Sequence, residues 1–302
     1  MKKIELFNRD LNISVEDQKT TSTSFKKQVD TNIKSVVDRL ENKNKVAVIG
    51  AGKMNDFSLP FFVSNFNEVV LTDIDLLSVN EAVRFERFKK NQLEKITKIR
   101  IEYTGFEQNL FFKDFKERIV NCHTYEKLEK VVKSKLDGLE KYKFLKNYQN
   151  QIDLLYVSPI YTQLVYNQLL RECAVLRENR YPEHLIKYLE EILLEEMVSV
   201  IDRFNNNLIS TLSENGMMFV LSDIFQVDVG SEFYYRITPS IKNYDVMEEI
   251  YLGYQKKYGV GLGDYGLINL DEKMESVLSK WMIWEYSNDK VFVVKLKIYK
   301  NK

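Results

Sequence analysis

Residues 45–60 read KVAVIGAGKMNDFSLP. An apolar run, Val46 to Ile49, leads into Gly50-Ala51-Gly52, and the pattern predicts a helix soon after. Strand, Gly-rich turn and helix start together make a grip for a nucleotide-type cofactor. The glycines let backbone approach a ligand, and the first amides of a helix lack partners within it. Which cofactor belongs there is not settled by these sixteen residues, because more than one class of enzyme opens this way.

The pattern around this stretch is that of alternating strands and helices. Upstream, residues 1–20 read as irregular. TSTSFKKQVDTNIKSVVDRLENKN then has Val29, Ile33, Val36, Val37 and Leu40 at helical spacing, with a Ser/Thr cluster before Phe25 as N-cap. Downstream, EVVLTDID (68–75) is a second buried strand, 97–105 a third, QIDLLYVSPIY (151–161) a fourth closed by Pro159, and MMFVLSDIF (217–225) a fifth. Helices are expected over 76–95 and 106–150, the latter as two with Thr124 capping the second. A long amphipathic helix from residue 183 carries Ile186, Leu189, Leu193, Met197, Val200, Phe204 and Leu208 and ends at Asn215-Gly216 in a left-handed cap. A Tyr- and Gly-rich stretch fills 226–275, and two β-type runs around SNDK form a terminal hairpin. The order implies an α/β fold, a doubly wound and mostly parallel sheet with a C-terminal antiparallel hairpin. Its ligands bind at the carboxyl ends of the strands.

Composition narrows the function. The chain has 302 residues, 44% of them apolar, with 44 Lys+Arg against 44 Asp+Glu. That balance supplies no net basic field for nucleic acid or membrane. Two cysteines without a C-x-x-C, no apolar leader and no membrane-length run fit a soluble cytoplasmic protein. Two histidines, His123 and His184, exclude a His-rich metal site. Cys122 and His123 are chain neighbours whose side chains point apart, which argues against a catalytic dyad.

For NAD, Gly50-x-Gly52 supplies the turn and Asp73 stands about twenty residues on, where an acid takes ribose hydroxyls; the third glycine of that fingerprint is Asn55 here. Three wider features favour another cofactor: a helix before strand 1, a long helix running into an apolar strand over 183–225, and the terminal hairpin. In these the chain resembles the class I methyltransferases dependent on S-adenosyl-L-methionine (SAM), over most of residues 25–300. The resemblance implies a seven-stranded sheet, an N-terminal helical segment (1–44), and a methyltransferase-like domain (45–302) with a helical insertion over 106–150 and a cap over 226–275. It puts Gly50, Ala51 and Gly52 under the methionyl part of SAM, with Asp56 capping the helix or binding the amino group. Asp73 falls on the ribose hydroxyls, Ile74 beside the adenine, Thr104 or Gly105 at its edge, and Ser158 and Pro159 near the transferable methyl. Tyr161 is a candidate substrate contact. The sequence departs from the family pattern at Val48, often an acid, and at Met54, often a glycine.

Other segments have plainer explanations. SPIY (158–161) matches the [DN]-P-P-[YF] of nucleic-acid amino methylation at only two of four positions, and Ser158 does not replace its Asp or Asn. Phe85 and Phe88 are expected in the core, with the basic residues around them in solvent. The tyrosines of 226–270 either line a substrate pocket or pack an insertion. GVGLGDYGL (259–267) reads as a lid or loop, and His184 as a surface or cap residue. The resulting expectation is SAM-dependent methyl transfer to a small molecule. An NAD(P)-dependent oxidoreductase and a non-catalytic scaffold of the same fold are the alternatives.

Overall fold

The computed structural model describes residues 23–164 and 166–302. The irregular stretch over 1–20 and most of the Ser/Thr cap that follows it lie outside the described residues. In chain order the elements are α1 (Thr23–Val37), β1 (Lys45–Ile49), α2 (Leu59–Asn65), β2 (Glu68–Asp73), α3 (Leu76–Phe85), α4 (Lys90–Leu93) and β3 (Ile96–Arg100). Next come α5 (Phe115–Val120), α6 (Tyr125–Leu136), β4 (Ile152–Val157), α7 (Tyr166–Glu178), α8 (Glu183–Thr211) and β5 (Leu212–Asp228). The chain closes with α9 (Glu232–Ser240), α10 (Tyr244–Tyr258), α11 (Leu262–Lys273), β6 (Glu275–Glu285) and β7 (Lys290–Lys300).

One seven-stranded sheet runs β3-β2-β1-β4-β5-β7-β6. Val46 lies beside Val69 and Leu154, so β2, β1 and β4 are parallel neighbours, while β7 runs against both β5 and β6. Strands β1 and β4 are buried nearly end to end, as central parallel strands covered on both faces must be. Alternate residues serve the two faces. Val46, Val48, Leu154, Tyr156, Phe219 and Leu221 meet α1, α2 and α3. Ala47, Ile49, Leu155, Val157, Met218 and Val220 meet α5 to α8 and α11. Helix α1 buries Phe25, Val29, Ile33, Val36 and Val37 in the same core as the strands. The stripe expected on α8, from Ile186 to Leu208, is buried throughout, and Thr124 caps α6 by accepting from the Lys127 amide.

Several boundaries differ from expectation, among them the stretch over 106–150, whose α-helices are confined to α5 and α6 while the rest is turns and short 3-10 segments. Helix α8 ends at Thr211, and Asn215-Gly216 lies inside β5 at a bulge where the ladder steps from Ile152–Leu212 to Leu154–Met217. Gly216 is needed for space, not for a left-handed turn: a Cβ there would come within 2.7 Å of the Ile152 carbonyl oxygen. Strand β3 stops at Arg100 because the Glu102 carboxylate turns the chain, accepting from the amides of Thr104 (2.9 Å) and Glu107 (3.2 Å). The expected loop over 259–267 is helical from Leu262, and Leu267 and Leu270 are core residues. Phe85 also departs from expectation: as the last residue of α3 it is 76% exposed, while Phe88 packs against the core. Among the described residues no helix is long and apolar enough to cross a membrane.

Candidate functional site

A cavity of about 590 Å³ opens at the carboxyl ends of β1, β2, β4 and β5. Its wall includes Gly50, Ala51, Gly52, Asp56, Asp73, Ile74, Ser158 and Pro159. These eight residues come from three separate stretches, and the parallel register brings them to one rim.

The turn after β1 is closed by its own hydrogen bonds. Gly50 and Gly52 have positive φ (74° and 46°), as does Met54 (58°), a conformation that glycine adopts without steric cost. The Gly50 amide donates to the Tyr103 hydroxyl (2.9 Å), which lies 2.8 Å from Thr72 Oγ1, which in turn donates to the Val48 carbonyl (2.7 Å). The Ala51 amide donates to the Thr72 carbonyl (3.0 Å) and the Gly52 amide to Asp73 Oδ2 (2.9 Å). The next helix starts only at Leu59, seven residues past Gly52, and the Ser58 amide at its foot is taken by Asp30 of α1 (3.0 Å). No helix start therefore faces a ligand directly behind the turn. Tyr103→Phe leaves the Gly50 amide and the Thr72 hydroxyl one partner short. We expect it to cost about 1–3 kcal/mol of stability, read as a lower denaturant midpoint; an unchanged midpoint would contradict this bracing role.

Both Asp73 oxygens accept one backbone amide each, Oδ2 from Gly52 and Oδ1 from Asp75 (2.8 Å), which leaves lone pairs on each for a ligand. Burial pushes its pKa up to about 6 against the pull of those amides. Asp75 instead caps α3, accepting from the Ser78 amide (3.2 Å) and hydroxyl (2.7 Å). Asp56 accepts from the Tyr156 hydroxyl (2.8 Å), and burial raises its pKa and that of Glu102. Asp223, on β5, accepts from the Thr162 hydroxyl through Oδ2 (3.0 Å). Its Oδ1 is buried with no hydrogen-bond partner, and burial raises its pKa to about 6. The indole Nε1 of Trp284 is likewise buried without a partner. The wall thus carries four carboxylates (Asp56, Asp73, Glu102, Asp223) against two lysines (Lys53, Lys290).

Three expected site residues lie outside the wall. Thr104 binds back onto Glu102 through its amide and hydroxyl. Gly105 (φ 82°) makes room for Tyr142, whose ring would meet a Cβ at 2.7 Å. Ile101, Glu102 and Tyr103 take the place at the cavity that Thr104 and Gly105 were expected to hold. Tyr161 is 1% exposed and turned into the core, donating to Asn205 Oδ1 (2.9 Å). From 226–275 only Gln226 reaches the cavity. Helices α9 and α10 instead pack Ile237, Met247, Ile250 and Tyr251 on Phe225, Trp281 and Val293 of the sheet.

Sequence reasoning missed the far wall of the cavity, formed by Asp223, Phe225, Trp284, Tyr286 and Phe292. The β-type runs were legible, but not which of their residues the hairpin would carry to the rim.

A seven-stranded sheet of this order, with its last strand reversed and inserted between the fifth and sixth, is decisive for fold class. The fold is that of the class I methyltransferases. No family model matches the sequence, and no curated protein matches it. Among solved structures, the chain is similar to the N-methyltransferase NodS from Bradyrhizobium japonicum WM9, at 10% identity and a TM-score of 0.43, over 92% of this chain and 97% of that one. It is similar to a SAM-dependent methyltransferase from Aquifex aeolicus at 12% identity and 0.42, over 94% and 97%. It is also similar to the PH0226 protein from Pyrococcus horikoshii OT3 at 8% and 0.45, over 97% and 99%. The fold assignment rests on the strand order.

Proposed function

We propose that the chain binds SAM in this cavity and methylates a small molecule. The observation that carries this reading is the wall itself, acidic and with its Gly-rich turn already closed. SAM has a cationic sulfonium and an ammonium against a single carboxylate, which suits a cofactor side where Asp56, Asp73 and Glu102 stand against Lys53. NAD brings an anionic pyrophosphate, which needs amides and a helix start turned toward it. Here the amides of Gly50, Ala51 and Gly52 are all engaged within the protein, and α2 starts seven residues further on. The oxidoreductase alternative is therefore not favoured.

In this reading Asp73 takes the ribose hydroxyls with its remaining lone pairs. Ile74, Ile101 and Glu102 border the adenine. Gly50, Ala51, Gly52 and Asp56 hold the methionyl part, and Ser158 and Pro159 stand near the methyl. When bound, SAM supplies an electrophilic methyl on a positively charged sulfur. The protein's own work is to orient the acceptor and keep water out, for which Ile160, Phe225 and Phe292 of the wall are suited. A small acceptor fits a concave site of this volume, within the roughly 300–1,000 Å³ usual for ligand pockets. Balanced charge and two buried free cysteines support a cytoplasmic protein without a nucleic-acid partner.

The test is incubation with methyl-labelled SAM and, in parallel, a small-molecule extract and total nucleic acid. Label is expected in the small-molecule fraction and lost with Gly52→Val. Label in nucleic acid would overturn the substrate class. Consumption of NADH without any use of SAM would overturn the cofactor.

A further inference from the structure

The cavity is longer than the cofactor grip. Asp73, the Gly-rich turn and Ser158 belong to the β2-β1-β4 half of the sheet, whereas Asp223, Trp284 and Phe292 belong to the β5-β7-β6 half. With neighbouring strands about 4.8 Å apart, β7 lies roughly 14 Å from β1. The second half has its own chemistry. Gln226, Phe292 and Trp284 stand side by side across the three strands. Trp284, Tyr286 and Phe292 pack as an aromatic wall, with ring centroids 5.5 Å (Trp284–Tyr286) and 4.9 Å (Tyr286–Phe292) apart, and Phe25 of α1 stacks on Trp284 at 5.2 Å.

Two polar atoms on this side have no partner in the protein. One is an acceptor, Asp223 Oδ1, and the other a donor, Trp284 Nε1. A buried polar atom without a partner costs stability, and both atoms belong to residues lining the same cavity. Asp223 is held in place by Thr162 through its other oxygen, and Lys290, the hairpin lysine that lines the cavity, stands in register with Asp228.

We propose that this half-site binds an aromatic amine, with the ammonium on Asp223 Oδ1, the ring against Trp284, Tyr286 and Phe292, and a phenolic hydroxyl oxygen accepting from Trp284 Nε1. An ammonium satisfies a lone buried carboxylate oxygen with a charge-assisted hydrogen bond, and the aromatic faces favour both a ring and a neighbouring cation. A carboxylate ligand would instead meet Asp223 as a like charge. The inference rests on the methyl-transfer reading for its meaning, since the amine is then the acceptor, but its binding chemistry belongs to residues apart from the cofactor grip.

Calorimetry with tyramine, 4-ethylphenol and 3-(4-hydroxyphenyl)propionate separates the elements, first with protein alone and then with S-adenosylhomocysteine. Tyramine is expected to bind at least tenfold more tightly than 4-ethylphenol, and the propionate more weakly than either. Asp223→Asn, which keeps an oxygen for Thr162, should cut tyramine affinity at least tenfold, leaving 4-ethylphenol and S-adenosylhomocysteine unchanged. Trp284→Phe, which keeps the ring on Phe25, should weaken both phenols severalfold. Equal affinity for tyramine and 4-ethylphenol, or tyramine binding untouched by Asp223→Asn, would overturn the proposal. Tyramine binding that follows this pattern in a protein that does not bind S-adenosylhomocysteine would uphold the amine site and overturn the cofactor reading instead.

Discussion

Asp73→Ala is expected to weaken SAM binding by at least about a hundredfold, and by more than the ribose contacts alone would give. Two hydroxyls donating to a carboxylate are worth about 1.5–3 kcal/mol each, and about 1.4 kcal/mol is already a factor of ten. The structure adds a second loss. Asp73 also holds the amides of Gly52 and Asp75, so alanine frees the Gly-rich turn as it removes the ligand's acceptor. Asp73→Asn keeps one acceptor oxygen and should fall between wild type and alanine. Asp75→Ala should leave affinity near wild type and cost about 1 kcal/mol of stability as a lost helix cap. The pH dependence has a definite sign. Asp73 titrates near 6 in the folded protein, and only its ionised form accepts from both hydroxyls. Affinity should be level above pH 7 and fall as pH drops through 6. Affinity rising toward acid, or Asp75→Ala harming binding more than Asp73→Ala, would contradict the assignment.

Gly266→Ala is expected to destabilise the fold by about 3 kcal/mol, at the upper end for overpacking. A Cβ at Gly266 would lie 2.5 Å from the Tyr161 ring. That ring has little room to move: its hydroxyl is tied to Asn205, which also donates to the Gly266 carbonyl (3.0 Å) and to Asn269 (2.9 Å), and Phe204 lies edge-on to it at 5.8 Å. The pair is coupled, so Gly266→Ala should cost clearly less in a Tyr161→Leu background. Additive losses in denaturant unfolding would contradict the contact. Tyr161 thus seats α11 against the sheet behind the cavity, and its position two residues after Pro159 in sequence is no guide to which way it faces.

What the sequence disclosed and what it hid divide along sequence distance. Strands β1, β2 and β4 were legible because strands buried on both faces are apolar almost throughout, and the stripe on α8 because one face of a long helix must be buried. Asp73 was legible from its spacing after Gly52. Tyr103 was not: its bonds to Gly50 and Thr72 span 53 and 31 residues, and a tyrosine after a strand carries no mark of what its hydroxyl will meet. Nor was the aromatic wall, because Trp284 and Phe292 reach the cavity only through a hairpin whose register places them beside Gln226. Asn215-Gly216 misled for a local reason. The same dipeptide that ends helices in a left-handed turn here spares the Ile152 carbonyl a collision in an extended strand. The glycines of 259–267 did likewise. Gly263 lets α11 lie against β5, where a Cβ would come within 2.5 Å of the Asp223 carbonyl oxygen.

The central claim is that an acidic cavity with a closed Gly-rich turn selects a sulfonium nucleoside over a dinucleotide. Calorimetric titration of the wild-type chain with S-adenosylhomocysteine, SAM and NADH at pH 7.5 tests it most directly. Saturable binding of both S-adenosyl ligands, lost in Asp73→Ala, and no heat with NADH is the predicted result. Binding of NADH with no measurable affinity for either S-adenosyl ligand would contradict it.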